Sequence, residues 1–163
     1  MRRIFASWRM KYVSIAHKEP GCIFCDAVTE PSNDERLVVF VGTHAVVMLN
    51  KFPYTSGHLM VAPKLHTNQL NALSQQTRTE LIDLISESVS VLTSLYKPDG
   101  FNVGANLGEA AGAGIPDHLH FHIVPRWNGD TNFMTAIGEC RVLPEDLSQT
   151  YQKVKNAFQV KRG

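Results

Sequence analysis

Three of the seven histidines stand in strict alternation: His118, His120 and His122, with Leu119, Phe121 and Ile123 between and after them. Successive side chains of an extended strand point to opposite faces, so the imidazoles share one face and the apolar residues the other. Same-face neighbours on a strand lie roughly 6 to 7 Å apart, so the row can address one metal ion or an extended polyanion. Two uses compete. Imidazoles on one face can ligate a metal, and an imidazole can attack phosphorus and carry a phosphoryl or nucleotidyl group. Packing in a core is the bland alternative, but three alternating histidines require a polar face that a core does not supply.

A second set of chemical residues lies near the start. Gly21-Cys22-Ile23-Phe24-Cys25 reads as a knuckle presenting two thiols on one side, suited either to zinc or to redox exchange. A structural zinc ion takes four N or S ligands. His66 and His118 could complete a Cys₂His₂ set with Cys22 and Cys25, leaving the other two histidines of the row for catalysis. With four protein ligands such a site is closed to substrate, so zinc would be structural. Cys140 reads as a small buried side chain.

The elements that must position these residues follow from pattern. Arg36 to Val41 and Ala45 to Leu49 are β-rich runs joined by Gly42-Thr43-His44, which predicts a hairpin. A Pro- and Gly-punctuated loop from Asn50 to Gly57 precedes a third strand, His58 to Ala62, closed by Pro63. Thr67 to Leu73 reads as a short helical stretch. Ser74 is a candidate N-cap for a long helix, with Leu81, Leu84, Ile85, Val89, Leu92 and Tyr96 as its apolar stripe and Lys97-Pro98-Asp99-Gly100 as its stop. Phe101 to Val103 begins a fourth strand ending near Asn106. The Gly- and Ala-rich segment from Gly104 to Gly114 lacks the Gly-Lys-Ser/Thr of a Walker loop. It can aim backbone N–H groups at phosphate oxygens or serve as a connector. After the histidine strand, Arg126 to Asp130 forms a turn, and a last helix is expected from Pro144 to about Phe158. Pro31-Ser32-Asn33-Asp34 reads as a turn.

Composition bounds the rest. A chain of 163 residues, 44% hydrophobic and 19% charged, is one ordinary globular domain. Residues 1–20 read as an N-terminal extension with Trp8 and Tyr12 as anchors, and residues 21–163 as a single domain. The net charge of +1 provides no field that would select nucleic acid or an anionic membrane. The apolar runs are too short to span a bilayer. The basic first residues lead into no apolar h-region, which argues against secretion. Three cysteines, two of them in C-x-x-C, favour a reducing cytoplasm over a disulfide framework.

His118-Leu119-His120-Phe121-His122-Ile123-Val124 resembles the signature of the histidine triad (HIT) family, three histidines alternating with apolar residues. Asn50, Gly57-His58-Leu59 and Val61-Ala62-Pro63 resemble the family's upstream segments. Trp127 to Phe133 is similar to the tail of its bacterial dinucleoside polyphosphate phosphorylase and hydrolase branch. The resemblance implies an α+β fold, with a five-stranded antiparallel sheet, two main helices and a homodimer whose sheets join. It implies that His120 attacks the α-phosphorus of a nucleotide, and that phosphate or water then releases it. It also implies that His122 and His58 bond phosphate oxygens or the leaving group, that Asn106 and the Gly114 loop hold phosphate, and that Asn50 lies near the ribose. Zinc-binding members carry ligands at positions matching Cys22, Cys25, His66 and His118. Where several members place Gln followed by Ser or Thr, this chain has Gly114 and Ile115, a departure that agrees better with the dinucleoside polyphosphate branch.

The leading expectation is therefore an enzyme that cleaves a dinucleoside polyphosphate such as diadenosine tetraphosphate through a nucleotidyl-His120 intermediate. The alternatives are hydrolysis of adenosine phosphoramidate or another small nucleotide conjugate, and a non-catalytic nucleotide- or zinc-binding module.

Overall fold

The computed structural model describes residues 21–130 and 145–162. Trp8, Tyr12, Cys140 and the end of the Trp127 to Phe133 segment lie outside them.

Five strands form one antiparallel sheet: β1 (Val38–Val41), β2 (Ala45–Leu49), β3 (Leu59–Pro63), β4 (Gly100–Gly104) and β5 (Phe121–Arg126), in the order β1-β2-β3-β5-β4. Among the described residues three helices accompany them: α1 (Ile23–Thr29), α2 (Gln75–Tyr96) and α3 (Leu147–Arg162). The central strands are Val- and Leu-rich and buried on both faces, which suits β-branched and apolar side chains on a covered sheet.

One face carries Val39, Val47, Leu49, Leu59, Val61 and Ile123 and packs against α2 and α3. Leu81, Leu84, Ile85 and Leu92 supply the buried stripe of α2, with Val89 and Tyr96 partly buried beside them. Ser74 caps this helix, its side chain accepting the Thr77 N–H at 3.1 Å, and left-handed Lys97 ends it. Helix α3 covers β1 by stacking Phe158 on Phe40, and the Tyr151 hydroxyl donates to the Val38 carbonyl at 3.1 Å. The helix runs further than Phe158 and begins later than Pro144, because Asp146 caps it through the Ser148 N–H at 2.8 Å.

The other face carries Val38, Val46, Met48, Met60 and Ala62, and is covered by α1 through Phe24 and Ala27. Here the sequence reading needs correction. The short knuckle expected at Cys22 and Cys25 is the start of a helix, with Cys22 at its N-cap and Cys25 in its first turn. The short helix expected from Thr67 to Leu73 reduces to a 3-10 turn at Leu70–Ala72.

The chain bends at His118, and the histidine segment enters the ladder only at Phe121. Val61 pairs with Phe121 and Met60 with His122 on one side, while Gly104 pairs with His122 on the other. Pairing with β4 stops where that strand ends at Gly104, whereas β3 runs on through Ala62 and Pro63 without the histidine row paired to it. The Leu119 N–H bonds instead to the Thr67 carbonyl at 2.7 Å. The alternation of faces survives: Leu119 and Ile123 lie in the α2/α3 core, while His118 and His120 contact Phe24 of α1.

Candidate active site and metal centre

Each histidine of the row is held by a different partner, and the partners decide which ring nitrogen carries the proton. A carbonyl only accepts, so a ring nitrogen bonded to one must be the protonated nitrogen. The Nδ1–H of His120 donates to the carbonyl of His118 at 2.8 Å, which leaves the lone pair of the neutral ring on Nε2. Burial pushes the His120 pKa below the usual imidazole range, against the opposing pull of that hydrogen bond, and so favours the neutral, nucleophilic form.

His58 and His122 form a pair. The Tyr54 backbone N–H donates to His58 Nδ1 at 3.1 Å, so neutral His58 carries its proton on Nε2 and donates it to His122 Nδ1 at 2.9 Å. Neutral His122 then holds its own proton on Nε2. The rings of His120 and His122 meet edge to face, centroids 4.9 Å apart. Gly57 makes this placement possible. Its φ of +78° is left-handed, and a Cβ there would approach the Leu92 side chain of α2 to 2.9 Å.

A cleft of about 390 Å³ opens beside His122. Tyr54, Asn102, Asn106 and Arg126 contribute to its walls. Arg126 is held by a bidentate pair with Asp130 and donates to the Asn102 side chain at 2.7 Å. The Asn106 amide donates to the Gly112 carbonyl at 3.2 Å, which folds the Gly-rich loop back beside the cleft.

Asn50 is turned into its own loop. Its Oδ1 accepts the Phe52 N–H at 2.9 Å, and its amide lies 3.4 Å from His58 Nδ1. Gly114 sits half-buried in the loop, and Ile115 packs against the α1 cluster. Sequence reasoning missed Tyr54, Arg126 and Phe24. The signal for the first two was adjacency, since Tyr54 lies in the loop leading to His58 and Arg126 ends the histidine strand.

Cys22, Cys25, His66 and His118 converge, with their ligand atoms all within 4.8 Å of one another. The Cys22–His118, His66–His118, Cys25–His66 and Cys25–His118 separations are 3.1, 3.2, 3.3 and 3.8 Å. A tetrahedral shell with metal–sulfur bonds of about 2.3 Å and metal–nitrogen bonds of about 2.0 Å spans edges of roughly 3.3 to 3.8 Å. The His118 Nε2–H donates to the Pro63 carbonyl at 2.8 Å, which leaves Nδ1 as the ligating atom facing the thiols. Burial raises the Cys22 thiol, but the His118 ring beside it and the Cys25 and Phe24 backbone N–H groups bring it down to about 6. Cys25 is pushed up to about 11 by burial and by Cys22 beside it. Two thiols and two imidazoles in closed array fit a structural metal ion.

The HIT domain model matches residues 32–129. The chain belongs to the HIT family. Among its HIT relatives, an AP-4-A phosphorylase of Mycobacterium tuberculosis is 37% identical, the match covering 92% of this chain and 80% of that protein. An adenosine 5'-monophosphoramidase of Schizosaccharomyces pombe is 26% identical over 83% of this chain and 97% of its own length. A Zn-bound histidine triad family protein from Mycobacterium smegmatis superposes with a TM-score of 0.68 at 25% identity, covering 87% of this chain and 96% of that one. The chain is an enzyme of the HIT nucleotidyl hydrolase and transferase class.

Proposed function

We propose that this enzyme cleaves dinucleoside polyphosphates, such as diadenosine tetraphosphate, at an α-phosphorus through a nucleotidyl group carried on His120. The observation that carries the reading is the 2.8 Å hydrogen bond from His120 Nδ1–H to its own chain at His118, which leaves Nε2 as the attacking atom. In the first step the Nε2–P bond forms and the P–O bond to the leaving nucleoside phosphate breaks. The His118 carbonyl dipole stabilises the positive charge that develops on the His120 ring. The Nε2–H of His122, whose tautomer is set by His58, donates to a phosphoryl or leaving oxygen. In the second step inorganic phosphate or water attacks phosphorus and returns the electron pair to His120. Asn106 and the Gly114 loop hold phosphate oxygens, and Asn50 serves the ribose. The 37% identity to an AP-4-A phosphorylase supports this substrate class.

Cys22, Cys25, His66 and His118 bind zinc in this reading. Bound zinc ties α1 to the histidine row and takes no part in bond making. The zinc-bound Mycobacterium smegmatis relative supports the choice of metal. The protein works as a cytoplasmic homodimer joined at β4, an edge strand whose Val103 is 47% exposed, whereas α3 covers β1 at the other edge.

The test is product analysis of diadenosine tetraphosphate incubated with and without inorganic phosphate. ATP plus ADP only with phosphate means phosphorolysis, and ATP plus AMP without it means asymmetric hydrolysis. A second reading, hydrolysis of adenosine phosphoramidate, draws on the Schizosaccharomyces pombe relative. Fast AMP release from the phosphoramidate with no dinucleotide cleavage would replace the first reading by the second.

A further inference from the structure

Phe24 is wholly buried and lies between two of the candidate metal ligands, Cys22 and Cys25, on the same short helix. Its ring centroid is 5.0 Å from that of His118 and 4.8 Å from that of His120, inclined at 51° and 32°. No role in the reaction described above requires it. The Nδ1–H bond to the His118 carbonyl anchors one corner of the His120 ring but leaves the ring's tilt about that anchor undetermined. The tilt is defined by packing, from Phe24 and from the edge-on contact with His122 at 77°. Attack on phosphorus requires the Nε2 lone pair to lie along the line of displacement, so ring tilt bears directly on rate.

Helix α1 is poorly able to hold Phe24 by itself. It has seven residues and no side-chain hydrogen bond at its N-cap, and a helix of two turns is not stable alone. It is held by packing on Val46, Met48, Met60 and Ala62 and by the convergence of Cys22 and Cys25 with His66 and His118.

We propose that Phe24 is a positioning residue for His120: it fixes the plane of the nucleophilic imidazole and conveys the order of the Cys/His metal centre to it. The proposal rests on His120 being the nucleophile. A rival route exists in the chain itself, because His118 is a candidate ligand and its carbonyl holds His120 directly. The experiment must separate the two.

Wild type, Phe24→Leu, Phe24→Tyr and His120→Ala are compared by zinc content, by kcat and KM for diadenosine tetraphosphate with phosphate, and by NMR of the histidine ring C–H signals in metal-free and zinc-loaded protein. The His120 signals are assigned by their absence from His120→Ala. Phe24→Leu is expected to keep stoichiometric zinc and a KM within about twofold, while kcat falls about tenfold or more. Phe24→Tyr is expected to restore most of kcat. The His120 ring signals move on zinc loading in the wild type and stay in place in Phe24→Leu. Three results overturn the proposal: an unchanged kcat in Phe24→Leu, a zinc-dependent shift of the His120 signals that persists there, which would place the route through His118, and loss of zinc by that variant, which would make Phe24 a scaffold of the metal site alone. Full turnover in His120→Ala, or none in the wild type, would remove the nucleophile reading instead, and the NMR comparison would still decide whether Phe24 couples metal to ring.

Discussion

His58, at the entry to β3, and His122, within β5, are joined ring to ring, with Nε2 of the first 2.9 Å from Nδ1 of the second. The Tyr54 N–H occupies the other nitrogen of His58, so the donor in this bond is His58. Replacing His58 with Ala removes that donor and frees the tautomer of His122. Turnover should fall by about 10² to 10⁴-fold, the usual range for losing a positioned acid–base partner, while nucleotide binding weakens far less. Steady-state kinetics with a parallel equilibrium binding measurement check this.

Metal binding should be separable from chemistry. Cys22→Ser removes one of four converging candidate ligands, and the purified variant is expected to lose its zinc and melt roughly 5 °C or more below the wild type. Elemental analysis and calorimetry provide the readings. Zinc that stays stoichiometric in this variant would show that the four residues are not the ligand set.

Gly57 stands where both backbone and space demand glycine. Gly57→Ala must place a methyl group 2.9 Å from a Leu92 carbon at a left-handed φ of +78°. A loss of about 1 to 3 kcal/mol is expected in urea unfolding. Because His58 follows directly, activity should fall by more than the unfolded fraction explains.

The packing of α3 should respond to acid. The Glu145 carboxylate accepts from the Tyr96 hydroxyl of α2 and the Thr150 hydroxyl, each at 2.8 Å, and pairs with Lys153. Burial works to raise its pKa, but these donors outweigh burial and hold it below the ordinary glutamate value. A folded-state pKa below the unfolded one contributes stability above the unfolded value, and that contribution disappears as pH falls through the folded value. The wild type should therefore melt above Glu145→Gln at pH 6, and the gap should close as pH drops through and below about 4. A gap that widens on acidification would contradict the assignment.

At the open edge, Val103→Arg puts a charge on the exposed strand β4. The dimer reading predicts a shift toward monomer at micromolar concentration in sedimentation velocity, with the circular dichroism spectrum unchanged.

Much of this architecture was legible because it depends on local periodicity. The alternation from His118 to Ile123 and the apolar stripe from Leu81 to Tyr96 are set by residues a few positions apart, and both fold as their periods require. The convergence of Cys22, Cys25, His66 and His118 could be anticipated from ligand chemistry, since half a tetrahedral set calls for another half. What could not be read depended on distant neighbours. The ladder of β5 begins at Phe121 and not at His118 because β4 stops at Gly104 and the Leu119 N–H goes to Thr67 instead of to the end of β3. Helix α1 is too short for a periodic signal and exists through its packing on Met48 and Met60. Asn106 reads as a phosphate ligand by resemblance, and its amide NH2 also donates one hydrogen bond that folds the Gly-rich loop, visible only once Gly112 is in place.

The early end of the ladder has a consequence for side chains. Within a sheet, backbone carbonyls are taken up by neighbouring strands. Here two carbonyls at the ladder's margin face imidazoles: that of His118 receives His120, and that of Pro63 receives His118. Had the chain before Phe121 run back beside Pro63, that carbonyl would have faced the Leu119 N–H in place of the His118 ring, and had β4 run on past Gly104, its N–H groups would have competed with His120 for the His118 carbonyl. The point at which β5 parts from its neighbours thus selects which nitrogen of each histidine is basic, and it does so through backbone carbonyls.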